Sequence, residues 1–211
     1  MRYYIADLHY YHKNLIKRMD TRPFATIEEM NEKMIEIHNE VVRKNDEVVF
    51  IGDLSFGNGK ETMEIVKRLN GIKYLIEGNH DHKYLQDKDF DTRVFRWIAP
   101  YKELKDNKRK VVLCHYPILF YNGQYRNDEN GVPNTYHLCG HVHDTQDNKL
   151  LNEFILRQRQ IEVTNRNEEK AFMNSEIINC FCMFSDYRPL TLDEWIEVNN
   201  KRLEAYKNSQ K

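Results

Sequence analysis

Five short apolar runs in this chain each stop at a residue able to hold a metal ion or a proton. Arg2-Tyr3-Tyr4-Ile5-Ala6 runs into Asp7 and His9, Val48-Val49-Phe50-Ile51 into Gly52-Asp53, and Tyr74-Leu75-Ile76 into Gly78-Asn79-His80-Asp81. Val111-Val112-Leu113-Cys114 ends at His115, and Tyr136-His137-Leu138-Cys139 at Gly140-His141-Val142-His143. Continuous apolar runs of this length read as strands covered on both faces. With helical patterns between the first three, the order is that of an α/β sheet, and open α/β sheets carry their sites at the carboxyl ends of strands. In extended backbone Asp7 and His9 point to one side with Leu8 opposite, and His141 and His143 do the same. Gly78 allows a sharp turn, Asn79 offers a neutral oxygen, His80 a titratable ring, and Asp81 a carboxylate expected to orient that ring.

Between the strands, Thr26 and Glu29 form a capping box for a helix whose stripe of Ile27, Met30, Met34, Ile37 and Val41 is core. His38 lies off that stripe and is expected at the surface or rim. Glu61 to Leu69 is a shorter helix stopped by Asn70-Gly71. The lysine-rich stretch from Lys102 to Lys110 reads as a solvated turn before a strand, in preference to a phosphate-binding patch. Thr145 to Glu176 is charged and helix-permissive, an insertion between strands that starts at the rim of the site and supplies no ligand. Its Arg157, Arg159 and Arg166 are placed to meet an anionic substrate or a partner chain. Ile177 to Phe184 reads as the last strand, with Cys180 and Cys182 packing on one face. Thr191 and Glu194 cap a final helix reaching about residue 208.

The 211 residues fit a single domain. A formal net charge of −1 gives no global attraction to long nucleic acid or an anionic membrane, and no stretch approaches the roughly 20 apolar residues of a membrane span. The first residues carry no secretory leader pattern, and Cys114, Cys139, Cys180 and Cys182 lack metal-site or C-x-x-C spacing. Buried thiols in a reducing cytoplasm are the expectation.

Collected in order, Asp7, His9, Asp53, Asn79, His80, His115, His141 and His143 mix carboxylate, amide oxygen and imidazole, the ligand chemistry of borderline divalent metals. The series Asp-x-His, Gly-Asp, Gly-Asn-His-Asp, single His and Gly-His-x-His resembles that of the calcineurin-like metallophosphoesterase superfamily. Asp7-Leu8-His9-Tyr10-Tyr11-His12-Lys13-Asn14, Arg22-Pro23-Phe24 and Gly52-Asp53-Leu54-Ser55-Phe56-Gly57 are similar to a subgroup of small bacterial and phage phosphoesterases. The resemblance implies two mixed sheets packed face to face with helices outside. It implies that Asp7, His9 and His143 bind one ion, that Asp53 bridges, and that Asn79, His115 and His141 bind a second. His80, supported by Asp81, faces the substrate as general acid or phosphate-orienting group. His12 reads either as a contact to ligands or substrate or as a plain loop histidine; His82 and His137 read as structural or surface residues.

The expected activity is hydrolysis of a small phosphoester, leaning to a phosphodiester or nucleotide-like substrate, by a hydroxide bridging two divalent ions. Mn, Fe, Zn, Co and Ni all accept such ligands. A phosphomonoesterase or protein phosphatase, and a scaffold that keeps the fold without turnover, are the alternatives. Oligomeric state and physiological substrate are not encoded in these motifs.

Overall fold

A computed structural model describes residues 1–164, 168 and 170–210 of the chain. Strands β1 (Arg2–Ile5), β2 (Glu47–Ile51), β3 (Ile72–Ile76) and β4 (Phe95–Ala99) form one sheet in that order, parallel throughout. In the second sheet β5 (Tyr101–Asp106) runs antiparallel to β6 (Arg109–Cys114), which is parallel to β7 (Thr135–Cys139). A separate hairpin, β8 (Glu162–Thr164) and β9 (Lys170–Phe172), precedes β10 (Ile177–Asn179), which returns beside β7. The helices are α1 (Asn14–Lys17), α2 (Ile27–Val41), α3 (Gly59–Arg68), α4 (His82–Leu85), α5 (Gln146–Gln158) and α6 (Leu192–Ser209). No described helix is long and apolar enough to cross a membrane.

The apolar runs are continuous because each central strand is covered twice. On β2, Val48 and Phe50 face Met30, Met34 and Val66 of α2 and α3, while Val49 and Ile51 face the second sheet's Val111, Leu113 and Leu138. On the far side of the second sheet, Val112, Cys139 and Ile177 pack under Leu151 and Ile155 of α5 and Leu203 of α6. The layers are helix, sheet, sheet, helix, and period-two alternation along each strand divides the apolar residues among three cores. Thr26 accepts from the Glu29 N–H at the start of α2, and Asn58 with Glu61 closes a capping box on α3. Trp195, fully buried, donates its indole N–H to the Tyr4 carbonyl, and so pins α6 across β1.

Several local expectations give way. Lys102 and Lys110 belong to strands, not to a turn; only Asn107 and Lys108, both with positive φ, make the hairpin turn. The last strand ends at Asn179, and a short 3-10 helix follows at Cys182–Ser185. Cys180 therefore enters the core between the sheets and Cys182 the core under α2, on opposite sides. The Thr145–Glu176 stretch holds α5 and the β8–β9 hairpin. Arg159 is committed to Glu176 and the Ser175 carbonyl, and Arg166 lies outside the described residues.

His38 is buried, not at the rim: its Nε2–H donates to the Asn70 carbonyl where α3 ends. His137 is also buried, donating from Nδ1 to the Val112 carbonyl and accepting the Ile118 N–H at Nε2. Burial pushes both imidazoles down to about 4. An unfolded histidine binds its proton near pH 6.5, so between the two values the unfolded state holds more protons and stability is lost on acidification. At about 1.4 kcal/mol per pH unit, each residue withdraws up to about 3 kcal/mol by about pH 4. Urea unfolding in chelator at about pH 7 and about pH 5 should show a drop for the wild type that is clearly smaller in His38→Leu. Equal drops would remove His38 from the acid response.

Candidate metal centre

The loops after β1, β2, β3, β6 and β7 converge at one edge of the paired sheets, and most of the side chains they bring together stand on strained backbone. Asp7, His9, Asp53, His141 and His143 all have φ between 43° and 72°. That left-handed region costs a residue with a Cβ about 1–2 kcal/mol, and such strain persists only where neighbours over-determine it. Asp7 and His9 thus share a side through left-handed turns, not through the extended alternation expected from their spacing. Backbone bonds hold them there: Asp7 N–H to the Gly52 carbonyl, His9 N–H to the Asp53 carbonyl, and Tyr10 N–H to the Leu54 carbonyl. The His141 N–H in turn donates to the Asp7 carboxylate at 3.0 Å.

Gly78 serves close approach. Its φ is not positive, but a Cβ there would overlap the Asp53 carboxylate and backbone nitrogen. At Gly140 a Cβ would lie 2.6 Å from Asp7 Oδ2.

Two groups of donor atoms form. Asp7, His9 and His143 each present one within 4.8 Å of the others, and Asp53, His115 and His141 do the same. Asp53 Oδ2 lies between the groups, 3.5 Å from His9 Nε2 and 3.4 Å from His115 Nε2. Asn79 Oδ1 is 3.1 Å from His115 Nε2 and 2.9 Å from His141 Nδ1. Partners on the far side of the rings fix which nitrogens face inward. His115 Nδ1–H donates to the Ile51 carbonyl, so its Nε2 meets two oxygen acceptors and must carry a proton or face a cation. Burial works against that proton, but the hydrogen bond to Asp53 and the charges of Asp7 and Asp53 raise His115 to about 9. Burial likewise opposes ionisation of Asp53, yet His115, His9 and the His80 N–H hold its carboxyl well below the usual carboxylate range. Burial raises the Asp7 carboxyl and drives the His9 ring well down. Converging carboxylate, amide and imidazole acceptors around buried, mutually repelling groups fit divalent cations.

His80 and His12 line the same cavity of about 380 Å³, whose wall also includes Met19, Asp20 and Thr145. The His80 ring stands edge-on to His9 at 5.5 Å, and Phe56 lies against His80 and stacks on His12 at 4.0 Å. Asp81 does not support His80. Its carboxylate is fully buried and accepts the N–H groups of Asp53, Leu54 and Gly78, which makes it a brace for the turns that carry ligands. Burial raises it to about 7 against those donors. His82 is exposed, 3.9 Å from Glu77. The residues that spacing did not single out are Asp20, whose Oδ1 accepts His143 Nδ1–H at 2.8 Å, and Arg22, whose buried guanidinium donates to the Asp7 and Leu8 carbonyls. Arg22 stood only in the Arg22-Pro23-Phe24 block of the family resemblance, with no role attached to it.

A family model for calcineurin-like phosphoesterases matches residues 3–160. The chain belongs to that family. The matched residues contain every block from Asp7 to His143. The chain is 36% identical over 117 residues to the uncharacterized protein MJ1445 of Methanocaldococcus jannaschii, covering 54% of this chain and 58% of that protein's length. The calcineurin-like fold also resembles a protein of unknown function, AQ665, from Aquifex aeolicus, with a TM-score of 0.59 and 21% identity over 92% of this chain and 96% of that one. A Vps29 mutant from Entamoeba histolytica superposes at a TM-score of only 0.32 with 16% identity, covering 69% of this chain and 66% of that one.

Replacing Gly78 by Ala forces the Asp53 carboxylate aside. The variant should remain folded, lose about 1–3 kcal/mol of stability through overpacking, and retain less metal than the wild type. Elemental analysis after dialysis against Mn²⁺, with thermal unfolding alongside, checks this; unchanged metal content would show that Asp53 need not sit where Gly78 places it.

Proposed function

We propose that this chain hydrolyses a phosphodiester, or a small nucleotide-like ester, with two divalent ions. Asp7, His9 and His143 would hold one ion, Asn79, His115 and His141 the other, with Asp53 between them. Such a pair supplies a water deprotonated near neutral pH and neutralises the phosphoryl oxygens. Mn, Fe, Zn, Co and Ni all suit the donor set. The buried free thiols Cys139, Cys180 and Cys182 suit a reducing cytoplasm.

The observation that carries the diester reading is the cavity wall. Its residues are carboxylates, an amide, imidazoles, Met19 and Thr145, with no lysine or arginine among the described residues lining it. A phosphomonoester dianion, or a phosphopeptide, is commonly met by arginine forks; a diester carries one charge and asks for less. Two part-exposed rings flank the centre, Phe56 against His12 and His80, and Tyr116 at 4.6 Å from His141. Either ring face can stack a base.

His80 stands at the open side of the cavity with its backbone N–H fixed on Asp53 Oδ1, and in this reading its ring delivers a proton to the departing oxygen. His80→Ala should keep its metal and lose about 10²–10⁴-fold in rate on alkyl esters, with a much smaller loss on p-nitrophenyl esters, whose leaving group needs no proton. Equal losses on both would leave His80 an orienting group only.

The proposal is tested by kcat/KM for bis-p-nitrophenyl phosphate, cyclic nucleotides, nucleoside monophosphates and a phosphoserine peptide under one metal condition. A preference for the diesters is expected. A preference for the phosphopeptide would overturn the substrate class, and no turnover of any of these substrates when the assay is repeated with each of the five metals would overturn the hydrolase reading.

A further inference from the structure

Two loops far apart in the chain supply the Asp7, His9 and His143 group, and one buried pair of side chains ties them together. Arg22 is 2% exposed. Its guanidinium donates to the Leu8 carbonyl at 2.7 Å and the Asp7 carbonyl at 2.9 Å. Through Nε and Nη2, the same nitrogen that reaches the Asp7 carbonyl, it also grips Asp20 Oδ2, at 3.1 and 3.0 Å. The second oxygen of the same carboxylate accepts His143 Nδ1–H. Asp20 therefore has one oxygen for the cation that braces the β1 loop and one for the ring at the end of the β7 loop. Phe181 completes the frame, with its ring stacked on His143 at 4.5 Å.

We propose that Asp20, clamped by Arg22, is a positioning residue for the first ion site: it fixes the ring tautomer and orientation of His143 so that Nε2 faces Asp7 and His9. The inference rests on the metal-site reading above and deepens it. A carboxylate behind a ligating imidazole raises the ligand's basicity and restricts its rotation, and loss of such a partner typically costs about 10–100-fold in metal affinity. The second group has no equivalent: His115 donates to a backbone carbonyl, and His141 Nδ1 faces Asn79. Removing Asp20 therefore acts on one ion of the two. In Asp20→Asn the amide oxygen still meets Arg22, whose bonds to the Asp7 and Leu8 carbonyls keep that backbone braced, so in this variant the loss is confined to the ring. Asp20→Ala leaves the guanidinium unpaired and is read only if it folds.

The test is Mn²⁺ binding to full-length wild type, Asp20→Ala and Asp20→Asn, read by chelator competition and elemental analysis with circular dichroism as the folding check. Asp20→Asn keeps the size of the side chain but offers one acceptor to two donors. Both variants should bind one equivalent as the wild type does and the other about 10–100-fold more weakly. Two equivalents bound as tightly as in the wild type by the folded Asn variant would overturn the positioning role. Equal weakening of both ions would overturn it too, since that marks general loosening. A wild type that binds fewer than two equivalents would overturn the metal-site reading itself, an outcome visible before any variant is compared.

Discussion

Five turns that carry candidate ligands must arrive at one sheet edge, those after β1, β2 and β7 with backbone in a conformation that side chains disfavour, and most of the rest of the molecule keeps them there. The strain at Asp7, His9, Asp53, His141 and His143 is offset by a ladder of main-chain bonds running along the carboxyl ends of β1 and β2. Asp81 adds three acceptor contacts from below, and Arg22 two donor contacts from the side. These groups are buried, Asp81 bonded to three backbone N–H groups and Arg22 to two carbonyls and the Asp20 carboxylate, so they act as struts and not as reactants. The apolar layers between and outside the sheets then make the edge rigid enough for atoms a few ångströms apart to hold their spacing.

Much of this was legible from residue order. The strands announced themselves as apolar runs because parallel strands covered on both faces have no polar side to show, and the polar residue that stops each run marks the edge where it ends. That these residues meet follows from that placement; their division into Asp7-His9-His143 and Asp53-His115-His141 was what the family resemblance implied. What the order of residues hid was the backbone. Asp7-Leu8-His9 looks like extended alternation, since two left-handed turns also put alternate side chains on one side. His38 looked like a surface residue because it sits off the apolar stripe of α2, yet the end of α3 needs a donor for the Asn70 carbonyl and covers the ring.

Roles that depend on distant partners were hidden for the same reason. Asp81 follows His80 directly, and adjacency suggested a pair. The turn instead aims the carboxylate inward, where three N–H groups lack any other acceptor. Asp20 and Arg22 lie in a loop with no periodic pattern, and their value appears only when residue 143 folds back against them. Such inner struts are selected by geometry across more than a hundred residues, a separation to which local spacing is blind. The β8–β9 hairpin was hidden differently: its strands are three residues each, too short for alternation to register.

The Asp7 turn has one further neighbour. The Ala6 N–H donates to the Cys180 carbonyl, the Cys182 N–H to the Ala6 carbonyl, and the Cys182 thiol to the Asp7 carbonyl. The first donor residue in the chain is thus completed by residues 180–182, which follow every other donor in the sequence. A nascent chain of 179 residues already contains every donor group, but its first turn lacks the edge that fixes it, and α6 is not there to pin β1. Synthesis at about 5–20 residues per second separates the two ends by many seconds. The Asp7 turn therefore reaches its final geometry only once residues 180–182 are in place, however early the other donor residues are made.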